Sequence, residues 1–136
     1  MNQVSGYQVY QASRIDHGSP ERLVVLAYER MVTLIAAAEK AAGAGDFDKQ
    51  NQSLQKAQAI VSTLQAGLDD EAYPELSSSL SRLYEWFYLE LGRANLTGDR
   101  VIMQRLKRQI AELGDAWRRA EAEVRRSASG EQAQVA

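Results

Sequence analysis

The sequence predicts an all-α protein: an antiparallel up-down-up-down bundle of four helices, with an N-terminal arm or short helix and a disordered C-terminal tail. Apolar residues recur at three- and four-residue spacing through four long stretches. Glycine, proline and helix-capping residues divide those stretches from one another. No segment alternates apolar and polar residues with the two-residue period of a half-buried strand. The expected division is an arm over residues 1–18, the bundle over 19–126 and the tail over 127–136.

The first helix starts at Gly18-Ser19-Pro20-Glu21. Ser19 suits the N-cap, Pro20 the first helical position, and Glu21 the positive end of the helix dipole. It should run to about Ala42, with Leu23, Ala27, Met31, Leu34 and Ala38 inward, and stop at Gly43-Ala44-Gly45. Asp46 then caps a second helix from about Phe47 to Gly67. Its seam is Phe47, Leu54, Val61 and Leu68 at seven-residue spacing, with Ala57 and Leu64 between. Leu68 to Pro74 reads as the longest connection. The third helix covers roughly Glu75 to Leu96 on Leu76, Leu80, Leu83, Phe87, Leu91 and Ala94, with Tyr84 and Tyr88 at the edge of that arc. Thr97-Gly98-Asp99 repeats the stop-and-cap device. The fourth helix runs from about Arg100 to Arg126 on Ile102, Leu106, Ile110, Leu113, Trp117, Ala120 and Val124. Residues 127–136 show no periodicity, hence the expectation of disorder. Short connections between helices one and two, and between three and four, make those neighbours antiparallel.

Two helices carry more apolar residues than one core-facing stripe uses. Helix one has Val25, Tyr28 and Val32 on its flank, leaving a polar arc only around Arg22, Glu29 and Thr33. Helix three has Trp86, Leu89 and Leu96 on an outer line, with Arg82 and Arg93 between them. Either the N-terminal residues cover this surplus or a partner does. Those residues include Val4, Tyr7, Val9, Tyr10 and Ile15. Tyr7 and Tyr10 would share one turn, and tyrosine suits a contact that is sometimes dry and sometimes wet. A locally packed arm and a functional latch are compatible readings.

Chemistry is otherwise sparse. At 136 residues and 45% hydrophobic content the chain forms one domain with a real core, and it has no cysteine for disulfides or thiolate ligands. His17 is the only histidine, so a di-metal bundle site is not available. Asp69-Asp70-Glu71 lacks the ligand spacing of a calcium loop. No nucleophile–base pair suggests an enzyme, and no cofactor or metal is expected. The formal net charge of -2 makes neither nucleic acid nor an anionic membrane the default partner. No stretch approaches the roughly 20 apolar residues of a spanning helix, and the expected location is the cytoplasm. Helix four holds half of the sixteen basic residues, among them Arg105, Arg108, Arg118 and Arg119. The alternative to protein-client binding is therefore a regulatory or scaffold bundle that binds a folded partner or nucleic acid through helix four. The i,i+4 pairs Asp115–Arg119, Arg119–Glu123 and Glu121–Arg125 make that face an ordinary salt-laced one.

Several segments carry a family resemblance: Tyr7-x-x-Tyr10, then Gly18-Ser19-Pro20-Glu21-Arg22-Leu23-Val24-Val25-Leu26-Ala27-Tyr28-Glu29 and Lys56-Ala57-Gln58-Ala59-Ile60-Val61. Leu64 to Asp69, Leu83-Tyr84 through Leu91-x-x-Ala94-Asn95, and Trp117 continue it. In this order they resemble the flagellar export chaperone family FliS, over about residues 4–120. The family more often has Ala where this chain has Gly18, and Asp-Gly where it has Glu29-Arg30.

The resemblance implies an antiparallel helical bundle that binds the C-terminal disordered segment of flagellin in the cytoplasm. It implies that the bound subunit is kept from premature polymerisation and delivered to the gate of the flagellar type III export apparatus. In some relatives an anti-sigma factor is a second client. The arm is expected to pack on the bundle and move when client binds. The client-binding residues expected are Tyr7, Tyr10 and Tyr28, from the resemblance, with Val25, Val32, Trp86, Leu89 and Leu96 from the helical-wheel argument.

Overall fold

The computed structural model describes the backbone of residues 6–10 and 20–135 and the side chains of 7–10 and 20–130. Ser19, Val4, Ile15 and His17, which carried sequence expectations, lie outside the described residues. Four helices follow one another: α1 (Pro20–Gly43), α2 (Phe47–Ala66), α3 (Pro74–Thr97) and α4 (Arg100–Val135), preceded by a 3-10 turn over Gly6–Val9.

The punctuation works as its chemistry requires. Gly45 and Gly98 sit at φ 73° and 64°, a left-handed backbone that favours glycine because it has no Cβ to clash. The Asp46 carboxylate accepts from the Lys49 N–H at 3.1 Å. Asp99 accepts from Val101 N–H at 2.9 Å and Ile102 N–H at 3.4 Å. Each cap satisfies donors that the first helical turn leaves free. Pro74 opens α3 without a side-chain cap, since Tyr73 stands at that position. Asp69 instead shapes the preceding loop, accepting from the Glu71 and Ala72 N–H groups at 3.1 and 3.2 Å.

α1 is the central element, packing against α2 on one side and α4 on the other, while α2 pairs with α3; α3 and α4 touch much less than these pairs. Tyr28, Met31 and Ile35 of α1 meet Leu54 of α2, Phe87 and Leu91 of α3, and Met103, Leu106 and Ile110 of α4 in one sealed cluster. The α2–α3 seam adds a polar register. The Gln50 amide donates to the Asn95 carbonyl and side chain at 3.0 Å each. Gln58 donates to the Tyr88 carbonyl at 3.1 Å, and Gln65 to the Ser81 carbonyl at 3.1 Å. Gln50, Gln58 and Gln65 descend α2 as Asn95, Tyr88 and Ser81 ascend α3, so a slip would break the whole set.

The structure corrects several expectations. α4 does not end near Arg126: it continues to Val135, so residues 127–135 are helical rather than disordered. No proline interrupts that stretch, and the Glu121–Arg125 and Glu123–Arg126 pairs support its beginning. Phe47, placed in the α2 seam, is 70% exposed, and Leu76, placed inward, is 40% exposed. Both stand at the first turn of a helix, where a neighbouring helix no longer overlies the stripe. Tyr84, placed at the edge of α3, is fully buried. Of the α1 flank residues, Val25 and Tyr28 are core, because a central helix buries two sides rather than one stripe, while Val32 is half-buried.

Candidate functional site

The arm docks where α1, the α2–α3 loop and α4 converge. Its turn is closed by the Tyr10 N–H donating to the Tyr7 carbonyl at 3.0 Å. Tyr10 forms an isolated antiparallel bridge with Leu68, and the Asp69 N–H donates to the Val9 carbonyl at 2.5 Å. The Tyr73 hydroxyl donates to the Gln8 side chain at 2.9 Å. Gly67 makes room for this seat, since a Cβ there would lie 3.3 Å from the Tyr10 ring. Tyr7, Val9 and Tyr10 are consequently as buried as bundle core, at 3%, 0% and 6% exposure.

Beneath the arm lies an aromatic cluster. Tyr7 packs on Trp117 with ring centroids 4.9 Å apart, and its hydroxyl donates to the Trp117 carbonyl. Tyr10 meets the same indole edge-on at 5.9 Å, and the Tyr28 ring lies tilted to it at 6.2 Å. The Tyr84 hydroxyl is the hub of a chain, 2.5 Å from the Tyr10 hydroxyl and 2.9 Å from that of Tyr28. Burial raises the pKa of the Tyr7, Tyr10, Tyr28 and Tyr84 hydroxyls above the ordinary tyrosine value, because desolvation penalises phenolate. Near this seat Glu121 is 5% exposed and meets Arg22 at 3.2 Å and Arg125 at 3.6 Å.

The eight expected binding residues divide into separate groups. Tyr7, Tyr10 and Tyr28 come together in the aromatic cluster, and Val25 is buried in the same core. Val32 is half-buried beside Tyr28 in a cleft between α1 and α4. Trp86, Leu89 and Leu96 stay on the outside of α3 at 39%, 62% and 90% exposure, where Trp86 leans on Phe87 with centroids 5.7 Å apart. Sequence reasoning missed Tyr84 and the role of Trp117 in seating the arm. A finer helical wheel would have found Tyr84, which shares an arc with Phe87 and Leu91. The Leu68–Asp69 contact carried no sequence signal.

On the basic face of α4, Arg118 bridges Asp115 and, at 3.3 Å, Glu29 of α1. Among the described residues no group of three or more His, Asp or Glu is placed to hold a metal ion, and no helix is long and apolar enough to cross a membrane. What remains is an interior-grade aromatic seat filled by the chain's own arm, and an uncovered apolar line on α3. That arrangement is suited to holding polypeptide.

The family model for the flagellar protein FliS matches residues 1–124. The chain belongs to the FliS family. It is 28% identical over 114 residues to the flagellar secretion chaperone FliS of Bacillus subtilis, covering 84% of each chain. It is 28% identical over 112 residues to FliS of Salmonella typhimurium, covering 82% of this chain and 83% of the relative. FliSB of Pseudomonas aeruginosa is 26% identical over 110 residues, with 81% and 87% covered. A crystal structure of a bacterial flagellar chaperone shares the fold, with a TM-score of 0.72 at 20% identity over 83% of this chain and 91% of that one. Membership of FliS, a family of chaperones rather than enzymes, supports a flagellar export chaperone role. The matched span ends at Val124, so the last turns of α4 lie beyond it.

Proposed function

We propose that this chain is a cytoplasmic chaperone that binds the C-terminal disordered segment of flagellin. On this reading it prevents premature polymerisation and presents the subunit to the gate of the flagellar type III export apparatus. The observation that carries the proposal is the arm seat. Tyr7, Val9 and Tyr10 occupy an aromatic seat and are as buried there as the bundle core, packed on Trp117 and Tyr84. An amphipathic client segment supplies the same chemistry and competes for it. The exposed Trp86, Leu89 and Leu96 line on α3 offers a second place for its apolar side chains. A disordered client must order as it binds, which keeps affinity per unit area low and the complex releasable.

The test is titration calorimetry of the purified chain against flagellin and against flagellin lacking its C-terminal segment. Full-length flagellin is expected to bind and the truncated protein to lose binding at least ten-fold. Equal binding of the two would overturn the proposal.

A further inference from the structure

Gly67, the C-cap of α2, is buried and holds an ordinary right-handed conformation, φ -80° and ψ -6°, which any residue adopts. In this it differs from Gly45 and Gly98, whose left-handed backbones favour glycine. The turn it closes is ordinary too, its N–H donating to the Thr63 carbonyl at 3.1 Å. A Cβ built there would lie 3.5 and 3.7 Å from the Thr63 and Leu64 carbonyl oxygens, which is normal contact, but 3.3 Å from Cδ1 of the Tyr10 ring. The bundle therefore has room for a methyl group at 67, and the arm does not. Nor is the ring free to yield. The Tyr10 hydroxyl lies 2.5 Å from that of Tyr84, its backbone is bridged to Leu68, and its ring packs on Trp117. Even a small displacement works against all three at once.

We propose that Gly67 is a positioning residue for the arm: its missing side chain sets how firmly the chain's own Tyr10 holds the aromatic seat. Two opposing effects meet there. Glycine at a right-handed helix end costs stability through the freedom it gives the unfolded chain, and alanine would recover that stability. The close contact with Tyr10 offsets the cost, but only while the arm is seated. A methyl group at 67 therefore favours the bundle and disfavours the arm, while leaving Tyr84, Trp117 and Tyr28 in place. The consequence for client binding rests on the function proposed above. Where a client takes the seat only after the arm leaves it, its apparent affinity scales with the fraction of molecules whose arm is out. Loosening the arm then raises that affinity.

The experiment is a double-mutant cycle in the full-length chain, Gly67→Ala against Tyr10→Ala, in a Trp86→Phe background where Trp117 is the one tryptophan left. Gly67→Ala is expected to shift Trp117 emission to the red with unchanged circular dichroism. In the Tyr10→Ala chain, where the opposing ring is gone, the same substitution is expected to add no further shift. There it should raise the thermal midpoint by about 1–4 °C, as a compatible glycine replacement does. Unchanged Trp117 emission in folded Gly67→Ala, or equal effects in both backgrounds, overturns the proposal, since a plain helix cap would behave so. If Gly67→Ala loses its helical signal, the double variant decides: recovery supports the assignment and no recovery overturns it. Titration with a synthetic peptide of the flagellin C-terminal segment separates this assignment from the client reading. Gly67→Ala is expected to bind the peptide about three- to ten-fold more tightly than the chain with Gly67. A red-shifted Gly67→Ala chain that binds it no more tightly overturns the competition between arm and client, and not the hold of residue 67 on the arm.

Discussion

At the scale of single residues, Tyr84 matters most. Its hydroxyl partners both the Tyr10 and Tyr28 hydroxyls, so Tyr84→Phe takes from Tyr10 its side-chain partner, while Tyr28 keeps a hydrogen bond to the Trp117 side chain. Stranding a buried polar group costs about 1–3 kcal/mol. Tyr84→Phe is expected to lower unfolding free energy by roughly 2 kcal/mol in urea melts, and Tyr28→Phe by less, because Tyr10 and Tyr84 keep each other. Equal effects would show that the hub reading is wrong. The same cluster sets a pH dependence. Burial raises all four tyrosine pKa values in the folded state, whereas in the unfolded chain tyrosine titrates near about 10. Above that pH the unfolded state holds fewer protons than the folded one, so stability present below about pH 10 is lost as pH rises further. Thermal midpoints should be flat in tyrosine terms up to that pH and fall beyond it. Tyr7 and Tyr10 were legible as a pair from their spacing alone. Tyr84 was not, because the wheel put it at the edge of the inward arc, and an edge position does not say whether a neighbouring element covers it.

At the scale of helices, sequence punctuation located every start and most ends within a residue or two, since caps and left-handed glycines act locally. Asp46→Ala is expected to cost about 1 kcal/mol, the usual loss for an N-cap carboxylate, and a chemical melt unchanged within 0.3 kcal/mol would contradict its role. Exposure was harder to read than periodicity. Phe47 and Leu76 keep the apolar rhythm of their helices yet stand at 70% and 40% exposure, because rhythm does not say where a neighbour ends. Val25 and Tyr28 fail the single-stripe reading for the opposite reason, being on a helix flanked by two others. The end of α4 escaped notice because serine and Gly130 weaken the pattern without breaking it. All side chains from Arg125 to Gly130 are exposed. Truncation after Arg126 should therefore leave the thermal midpoint unchanged within about 2 °C, as expected of exposed residues away from caps and core. A larger drop would show that the last turns pack on the bundle.

At the scale of the molecule, the fold class and helix order followed from the sequence, whereas the division into a sealed bundle, a docked arm and an outer apolar line required coordinates. The energetics of that division favour a displaceable arm. Burying Tyr7, Val9 and Tyr10 gains roughly 1.5–3 kcal/mol each, an upper estimate because the unfolded chain already hides some of that area. Ordering the backbone of residues 6–10 costs about 1–2 kcal/mol per residue. The terms nearly cancel, so the arm is held by a small margin and the bundle does not depend on it. Removing residues 1–10 should leave the helical signal intact and lower stability by no more than a few kcal/mol. It should also uncover Trp117, which is 8% exposed beneath the tyrosines. Trp86 is the other tryptophan and is already 39% exposed; in a Trp86→Phe background, Trp117 alone reports. Its emission is expected to shift to the red and become quenchable by acrylamide on arm deletion. Adding the flagellin C-terminal segment to the full-length Trp86→Phe chain should change the same signal, because a competing segment replaces the tyrosines over the indole. Deletion without a change in Trp117 emission would mean that the seat closes without the arm. A client that binds tightly yet leaves the signal untouched would place its contacts elsewhere, on the α3 line.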